Sequence, residues 1–166
     1  MDALTMQQAE AEAGIHGAAL HRLGIMPSEG GPVLHMLRAD APLFSGFGEV
    51  YFSEVLPGAI KAWKLHSRQT QQLAVPLGLL RFVLFDPRPG SPSYGQVRAH
   101  LVGRPDHYRL LRIPPGIWYG FENFGTEKAL ICNCANLMHE PSEASRKPRD
   151  SADIPWRFGP DASGAR

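Results

Sequence analysis

The sequence predicts an all-β protein built as one domain, and three observations predict it. Eight short runs of alternating or apolar β-forming residues follow one another after Gly31. Turn-forming residues separate them, as strands of a sandwich or barrel require. The 15 prolines and 17 glycines match that density of turns and exclude long helices over most of the chain. A length of 166 residues suits a single domain able to bury about 70% of its unfolded surface, so that it folds without disulfides or structural metal.

The elements follow in order. Residues 1–31 form an N-terminal arm in which "MDALTMQQAEAEAGIHGAALHRLGI" carries one or two short helical turns before the Gly and Pro of "PSEGGPV". Residues 32–141 hold the strands "PVLHMLR", "EVYFSEVL", "AIKAWKL", "QQLAVPL", "LLRFVLF", "VRAHLV", "YRLLRIP" and "KALICNC". The breaks between them include "GFG", "PG", "DPRPGSPSYG", "GRPDH", "PPG" and "NFGTE". Residues 142–166 form an irregular C-terminal tail, polar and proline-rich. Ile154, Trp156 and Phe158 are expected to pin part of it down, with fraying from about Gly159.

Charge and cysteine content narrow the function. The formal net charge is +1 and no basic run exists, so neither nucleic acid nor an anionic membrane is an expected partner. Cys132 and Cys134 lie two apart in an apolar run, which reads as two core thiols rather than a disulfide or zinc pair. There is no signal-peptide pattern and no apolar run long enough to span a bilayer, so the expected location is cytoplasmic.

Chemistry concentrates in "PGAIKAWKLHSRQTQQLAVPLG" (57–78) and "IPPGIWYGFEN" (113–123). Strand alternation places Lys64 and His66 on one face, and Lys61, Trp63 and Leu65 on the other. Gly58, five residues, Lys64, one residue, His66, four residues, Gln71, six residues and Gly78 reproduce the spacing of the first cupin motif. "PPGIWYGFEN" resembles the second, with Tyr119 in place of its His. Metal cupins have His, His and Glu where Lys64, His66 and Gln71 stand. Lys, Gln and Tyr are poor ligands for a divalent transition metal, so no metal is expected.

Within the cupins the chain resembles the dTDP-4-dehydrorhamnose 3,5-epimerases. "FDPRPGSPSYG" (85–95) is similar to their Asp-x-Arg…Ser-Pro-Thr-(aromatic)-Gly loop. "LLRIPPGIWYGFENF" (110–124) is similar to their Ile-Pro-x-Gly-x-x-His-Gly-Phe block, and "IKAWKLH" (60–66) to their Arg-Gly-Leu-His-Phe-Gln strand. The likeness runs from about Gly48 to Pro141. It implies a single cupin-type jelly-roll barrel that works as a homodimer without cofactor, epimerising a 4-keto sugar attached to dTDP. The family's base position falls on Lys64 and its acid position near His139. Its phosphate-contacting Arg becomes Lys61, and a position often Lys becomes Gln71 or Gln72. This is therefore a divergent member, lacking the usual catalytic His at two positions.

The expected function is a metal-independent epimerase or isomerase acting on a nucleotide-linked 4-keto-6-deoxy sugar by proton abstraction and re-protonation. His66, Lys64, Tyr119 and His139 are the catalytic candidates; Lys61, Gln71, Arg88 and Trp118 are the substrate-binding candidates. Each has a plainer reading: a hydrogen-bonded barrel His66, a core Tyr119, a surface His139, a packing Trp118, an Arg88 that braces its own loop. The alternative function is a barrel that binds a sugar nucleotide or small acid without turnover. A metal-dependent oxygenase is the third reading and lacks ligands.

Overall fold

The computed structural model describes residues 3–159. After a helix α1 (Ala3–Ala13), the strands are β1 (Ala19–Arg22), β2 (Ile25–Met26), β3 (Val33–Leu34), β4 (Glu49–Val55), β5 (Ile60–His66), β6 (Gln71–Leu77), β7 (Leu79–Phe85), β8 (Val97–Gly103), β9 (Arg109–Ile113), β10 (Trp118–Glu122), β11 (Ala129–Ala135) and β12 (Ala144–Arg146). Ten of them make two five-stranded antiparallel sheets, ordered β1-β9-β6-β11-β4 and β12-β5-β10-β7-β8; β2 and β3 pair separately. The two sheets form a jelly-roll sandwich, as the alternating runs and turn density require.

The inward faces close on one apolar cluster that includes Leu73, Val75, Phe82, Leu84, Leu111 and Ile131. A second cluster lies on the outer face of the second sheet: Trp63, Val83, Trp118, Ile154 and Trp156, with Phe158 packed against it. The tail therefore covers that face, as Ile154, Trp156 and Phe158 promised. The Glu122 carboxylate accepts a hydrogen bond from the Gly159 amide at 3.1 Å, fastening the last described turn. Truncating a buried tryptophan such as Trp63 in a cluster of this kind costs about 3–5 kcal/mol. The expected fraying beyond Gly159 lies outside the described residues.

Four strands escaped the sequence pattern, among them the two-residue β2 inside the N-terminal arm. β1 lies inside the 1–31 arm and pairs with β9. β12 lies inside the 142–166 tail and pairs with β5. Both are three or four residues long, too short to show a period. β10 begins directly after the turn at Gly116, so "PPGIWYGFEN" is half turn, half strand. Conversely, "PVLHMLR" supplies only the two residues of β3. Residues beyond it cross the outer face of the first sheet, where Met36 and Leu37 pack against a cluster of Ala9, Ala19, Leu43 and Leu110. Cys132 and Cys134 do share a face, and both thiols are free.

One irregularity positions the site. Tyr119 of β10 pairs with Lys64 of β5, but Phe121 pairs with Lys61. Two residues on one strand therefore span three on the other, a β-bulge. Across it the simple alternation fails, so Lys61 and Lys64 turn to the same side of the sheet.

Candidate active site

A cavity of about 370 Å³ opens between the two sheets at the end where β4 and β12 are edge strands. Its two walls follow from strand register. On the second sheet Tyr119 pairs with Lys64, and Lys64 with Arg146, so these three side chains form one row across β10, β5 and β12. On the first sheet Tyr51, Asn133 and Leu73 form the facing row across β4, β11 and β6. Ser53 and Ile131 make a second row beside it. Lys61 straps one end: its ammonium donates to Ser53 Oγ at 3.1 Å and to the Glu54 carbonyl at 2.7 Å.

His66 stands behind Tyr119, only 3% exposed, and does not line the cavity. Its Nε2 lies 3.2 Å from the Tyr119 hydroxyl, and its Nδ1 meets Glu143 Oε1. Glu143 comes from a single 3₁₀ turn, Pro141–Glu143, just before β12. Its other oxygen accepts from the backbone amides of Arg68 and Gln69 at 3.2 and 3.3 Å. The turn glycine Gly116 (φ 82°) donates its amide to the His66 carbonyl at 2.8 Å, which sets β10 beside the end of β5 and brings Tyr119 to His66.

The electrostatics define a direction for the proton. Burial pushes the His66 imidazolium pKa down, against the pull of Glu143, and nearby Lys64 lowers it further. Burial raises the Glu143 carboxyl, but the hydrogen bonds from His66 and the two amides more than offset this and hold it below its usual range. The pair is thus a neutral imidazole and a carboxylate, with Nδ1–H donating to Glu143 and the Tyr119 O–H donating to Nε2. Burial drives the Tyr119 phenol well above its ordinary value, so it keeps its proton. Burial also lowers the Lys64 ammonium, with Arg146 adding to the effect and Glu143 and Glu49 opposing it. Lys64 has no ion-pair or hydrogen-bond partner for its side chain among the described residues.

These shifts give a pH dependence. His66 and Glu143 both have folded-state pKa values below their unfolded ones, so the unfolded chain binds more protons as pH falls. Their contribution is complete above about pH 6.5, the free imidazole value, and is lost as pH falls toward their folded values. His21 and His100 are shifted the same way by burial. The urea midpoint should therefore fall between about pH 7.5 and 5, and fall less in His66→Gln. Equal slopes in the two proteins would contradict a buried neutral His66.

Several sequence expectations need correction. Lys61 does not face away from Lys64, because of the bulge. His66 reaches the cavity only through Tyr119. His139 is exposed and off the cavity wall; the partner that the His66 side chain finds is Glu143. Gln71 is buried among amides rather than in the cavity: its side chain donates to Gln69 at 2.6 Å and accepts from Asn133 at 2.6 Å. Arg88 grips Asp86 with two nitrogens at 2.8 Å and donates to the His16 carbonyl at 2.6 Å, so it ties its loop to the N-terminal arm. Trp118 points to the outer face, beneath the tail, with the Lys147 ammonium 5.1 Å from its ring centre. Lys64, Tyr119 and Lys61 do line the cavity. Among the described residues no three of His, Cys, Asp and Glu gather as a metal-holding group, and no helix is long and apolar enough to cross a membrane.

Tyr51, Asn133, Glu143 and Arg146 were missed. Nothing in the sequence marks them, since Tyr51, Asn133 and Arg146 reach the site through pairing with strands distant in the chain and Glu143 through a 3₁₀ turn just before β12.

No protein-family model matches the chain. The crystal structure of a dTDP sugar isomerase from Desulfovibrio desulfuricans G20 is 53% identical and superposes with a TM-score of 0.85, over 86% of this chain and 91% of that one. The chain belongs to that dTDP-sugar isomerase family. The family's cupin architecture extends to more distant structures. A dTDP-6-deoxy-D-glucose-3,5-epimerase from Legionella pneumophila Philadelphia 1, solved with dTDP-4-keto-L-rhamnose, is 19% identical with a TM-score of 0.73, covering 82% of this chain and 76% of that one. Among curated proteins, the spore coat polysaccharide biosynthesis protein SpsL of Bacillus subtilis (strain 168) is 28% identical over 142 residues, 86% of this chain and 90% of SpsL. The fold implied by the Ser-Pro loop and the Pro-Gly block is thus shared with the 3,5-epimerase structures.

Proposed function

We propose that the protein is a metal-independent epimerase or isomerase of a nucleotide-linked 4-keto-6-deoxy sugar, with dTDP as the nucleotide. The observation that carries this reading is the Tyr119–His66–Glu143 chain ending at a cavity whose charged lining residues, Lys61, Lys64 and Arg146, are all cationic. The relative from Desulfovibrio desulfuricans G20 supports the same substrate class.

The mechanism follows from the proton direction. A carbon next to a ketone loses its proton to Tyr119 Oη while the Tyr119 proton passes to His66 Nε2. The phenol therefore never has to exist as a free phenolate, which its burial forbids. Glu143 stabilises the imidazolium that results. The electron pair moves onto the ketone oxygen as an enolate, and the Lys64 ammonium is free to stabilise it. Lys61 and Arg146 are placed to hold the diphosphate. A non-catalytic binder would need the cations but would have no use for the buried relay.

The test is NMR of dTDP-4-keto-6-deoxyglucose in deuterated buffer. Deuterium should enter a carbon adjacent to the ketone; binding with no exchange would leave only the binder. The reading also includes a homodimer. β4 is an edge strand with Val50 and Phe52 exposed, and natural sheets cover or pair such edges. A monomeric mass by light scattering at micromolar concentration would exclude it.

A further inference from the structure

Inverting a carbon needs two groups. One removes a proton from one face of the sugar ring, and another delivers a proton to the opposite face. If the protein is an epimerase, Tyr119 and its relay occupy the second-sheet wall. The first-sheet wall facing them holds Tyr51, Ser53, Leu73, Ile131 and Asn133. Leu73 and Ile131 have no labile proton. Asn133 is an amide, and Ser53 is an aliphatic alcohol, a far weaker acid than a phenol. Tyr51 alone on this described wall carries a proton of suitable acidity.

We infer that Tyr51 is the proton donor that completes inversion, acting from the wall opposite Tyr119. A chain of buried amides fixes its polarity. Gln69 Nε2 donates to the Leu137 carbonyl at 2.7 Å, which turns Gln69 Oε1 toward Gln71 Nε2 at 2.6 Å. Gln71 Oε1 must then accept, and it does so from Asn133 Nδ2 at 2.6 Å. Asn133 Oδ1 is taken by the Gln72 backbone amide at 3.3 Å. The second hydrogen on Asn133 Nδ2 therefore donates to the Tyr51 hydroxyl oxygen at 2.7 Å. With its oxygen accepting from the wall, Tyr51 has its own O–H free to point into the cavity. The two walls are thus opposite in sense: Tyr119 directs its proton away from the cavity, and Tyr51 directs one into it.

The step balances. The Tyr51 O–H bond breaks as the new C–H bond forms, the enolate electron pair returns to carbon and the ketone is restored. The phenolate left behind keeps the Asn133 N–H, and the Lys61 and Lys64 cations line the same cavity. Tyr51 is 38% exposed at the cavity mouth, so it recovers a proton from water, while buried His66 returns its proton to Tyr119 as Tyr119 releases the abstracted one into the cavity. Buried Gln71 and Asn133, with no place in the relay itself, thereby acquire a purpose: they aim Tyr51.

The inference rests on the epimerase reading and is tested with dTDP-4-keto-6-deoxyglucose in deuterated buffer, following exchange and epimer formation separately by NMR. Wild type should do both. Tyr51→Phe should keep deuterium exchange within about threefold of wild type, through Tyr119 and His66, while epimer formation falls by roughly 10²-fold or more. Asn133→Asp keeps the phenol but offers it a carboxylate to donate to, so it should slow inversion more than exchange. Wild-type inversion in Tyr51→Phe, or parallel loss of exchange and inversion in either variant with dTDP binding retained, would overturn the assignment. Wild-type exchange without any epimer would overturn it too, while leaving the proton-abstraction reading standing. Wild type showing neither would remove both.

Discussion

His66→Ala should lower solvent-deuterium exchange into dTDP-4-keto-6-deoxyglucose by about 10²–10⁴-fold, the usual worth of a positioned acid–base group, while dTDP still binds. The reason lies in where His66 sits. It is out of contact with the cavity and, in the proposed relay, accepts the proton that Tyr119 must release. Without it the Tyr119 phenol has no acceptor, and its burial keeps it protonated. The cavity cations Lys61, Lys64 and Arg146 are untouched, so affinity for dTDP should change little. Glu143→Gln should act through His66, weakening imidazolium stabilisation, and should shift the acid limb of the rate profile; a merely structural Glu143 would leave that limb in place. Exchange that persists at the wild-type rate in His66→Ala would remove the relay from the mechanism. Lys64, whose ammonium is already weakened by burial, would then become the base.

Lys64→Met should reduce turnover by about 10²–10³-fold, comparable to losing one donor to a developing oxyanion. Met keeps most of the apolar stem, so the row with Tyr119 and Arg146 is preserved. The loss should fall on kcat rather than on KM, because the enolate charge exists only after the proton has left. In the proposed reading Lys61 and Arg146 remain to hold the diphosphate. A rise in KM with unchanged kcat would instead make Lys64 a third phosphate contact. That outcome would leave enolate stabilisation without a residue on this wall.

The chain shows how a site can be half legible. The amino-acid pattern is enough to put Lys64 and Tyr119 in the cavity, because i, i+2 alternation in β5 and the Pro-Gly turn leading into β10 are local properties. The same pattern puts His66 on that face but says nothing of its depth, since depth depends on what packs over it. Arg88 and Trp118 take the plainer of the two readings the sequence offers, for the same kind of reason. "DPRPGSPSYG" announces a loop, but only the fold reveals that Asp86 is buried and claims the guanidinium. Trp118 adjoins Tyr119 in sequence and so lies on the opposite face, where the tail brings Trp156 and Phe158 to meet it.

What the sequence determined by itself was the architecture and the kind of chemistry. Period-two runs with glycine and proline between them can bury their apolar faces only as stacked antiparallel sheets. Lys64, His66 and Tyr119 in those runs supply proton-transfer groups and a cation, and no metal ligand set. What only the tertiary structure decided was which groups face one another. Glu143 lies 77 residues from His66, and Asn133 lies 82 residues from Tyr51. Such pairs are set by strand register, β11 against β4 for Asn133 and Tyr51, and β12 against β5 for the turn that carries Glu143. Register is the outcome of the whole sheet finding its buried face, and no local pattern in the chain encodes it.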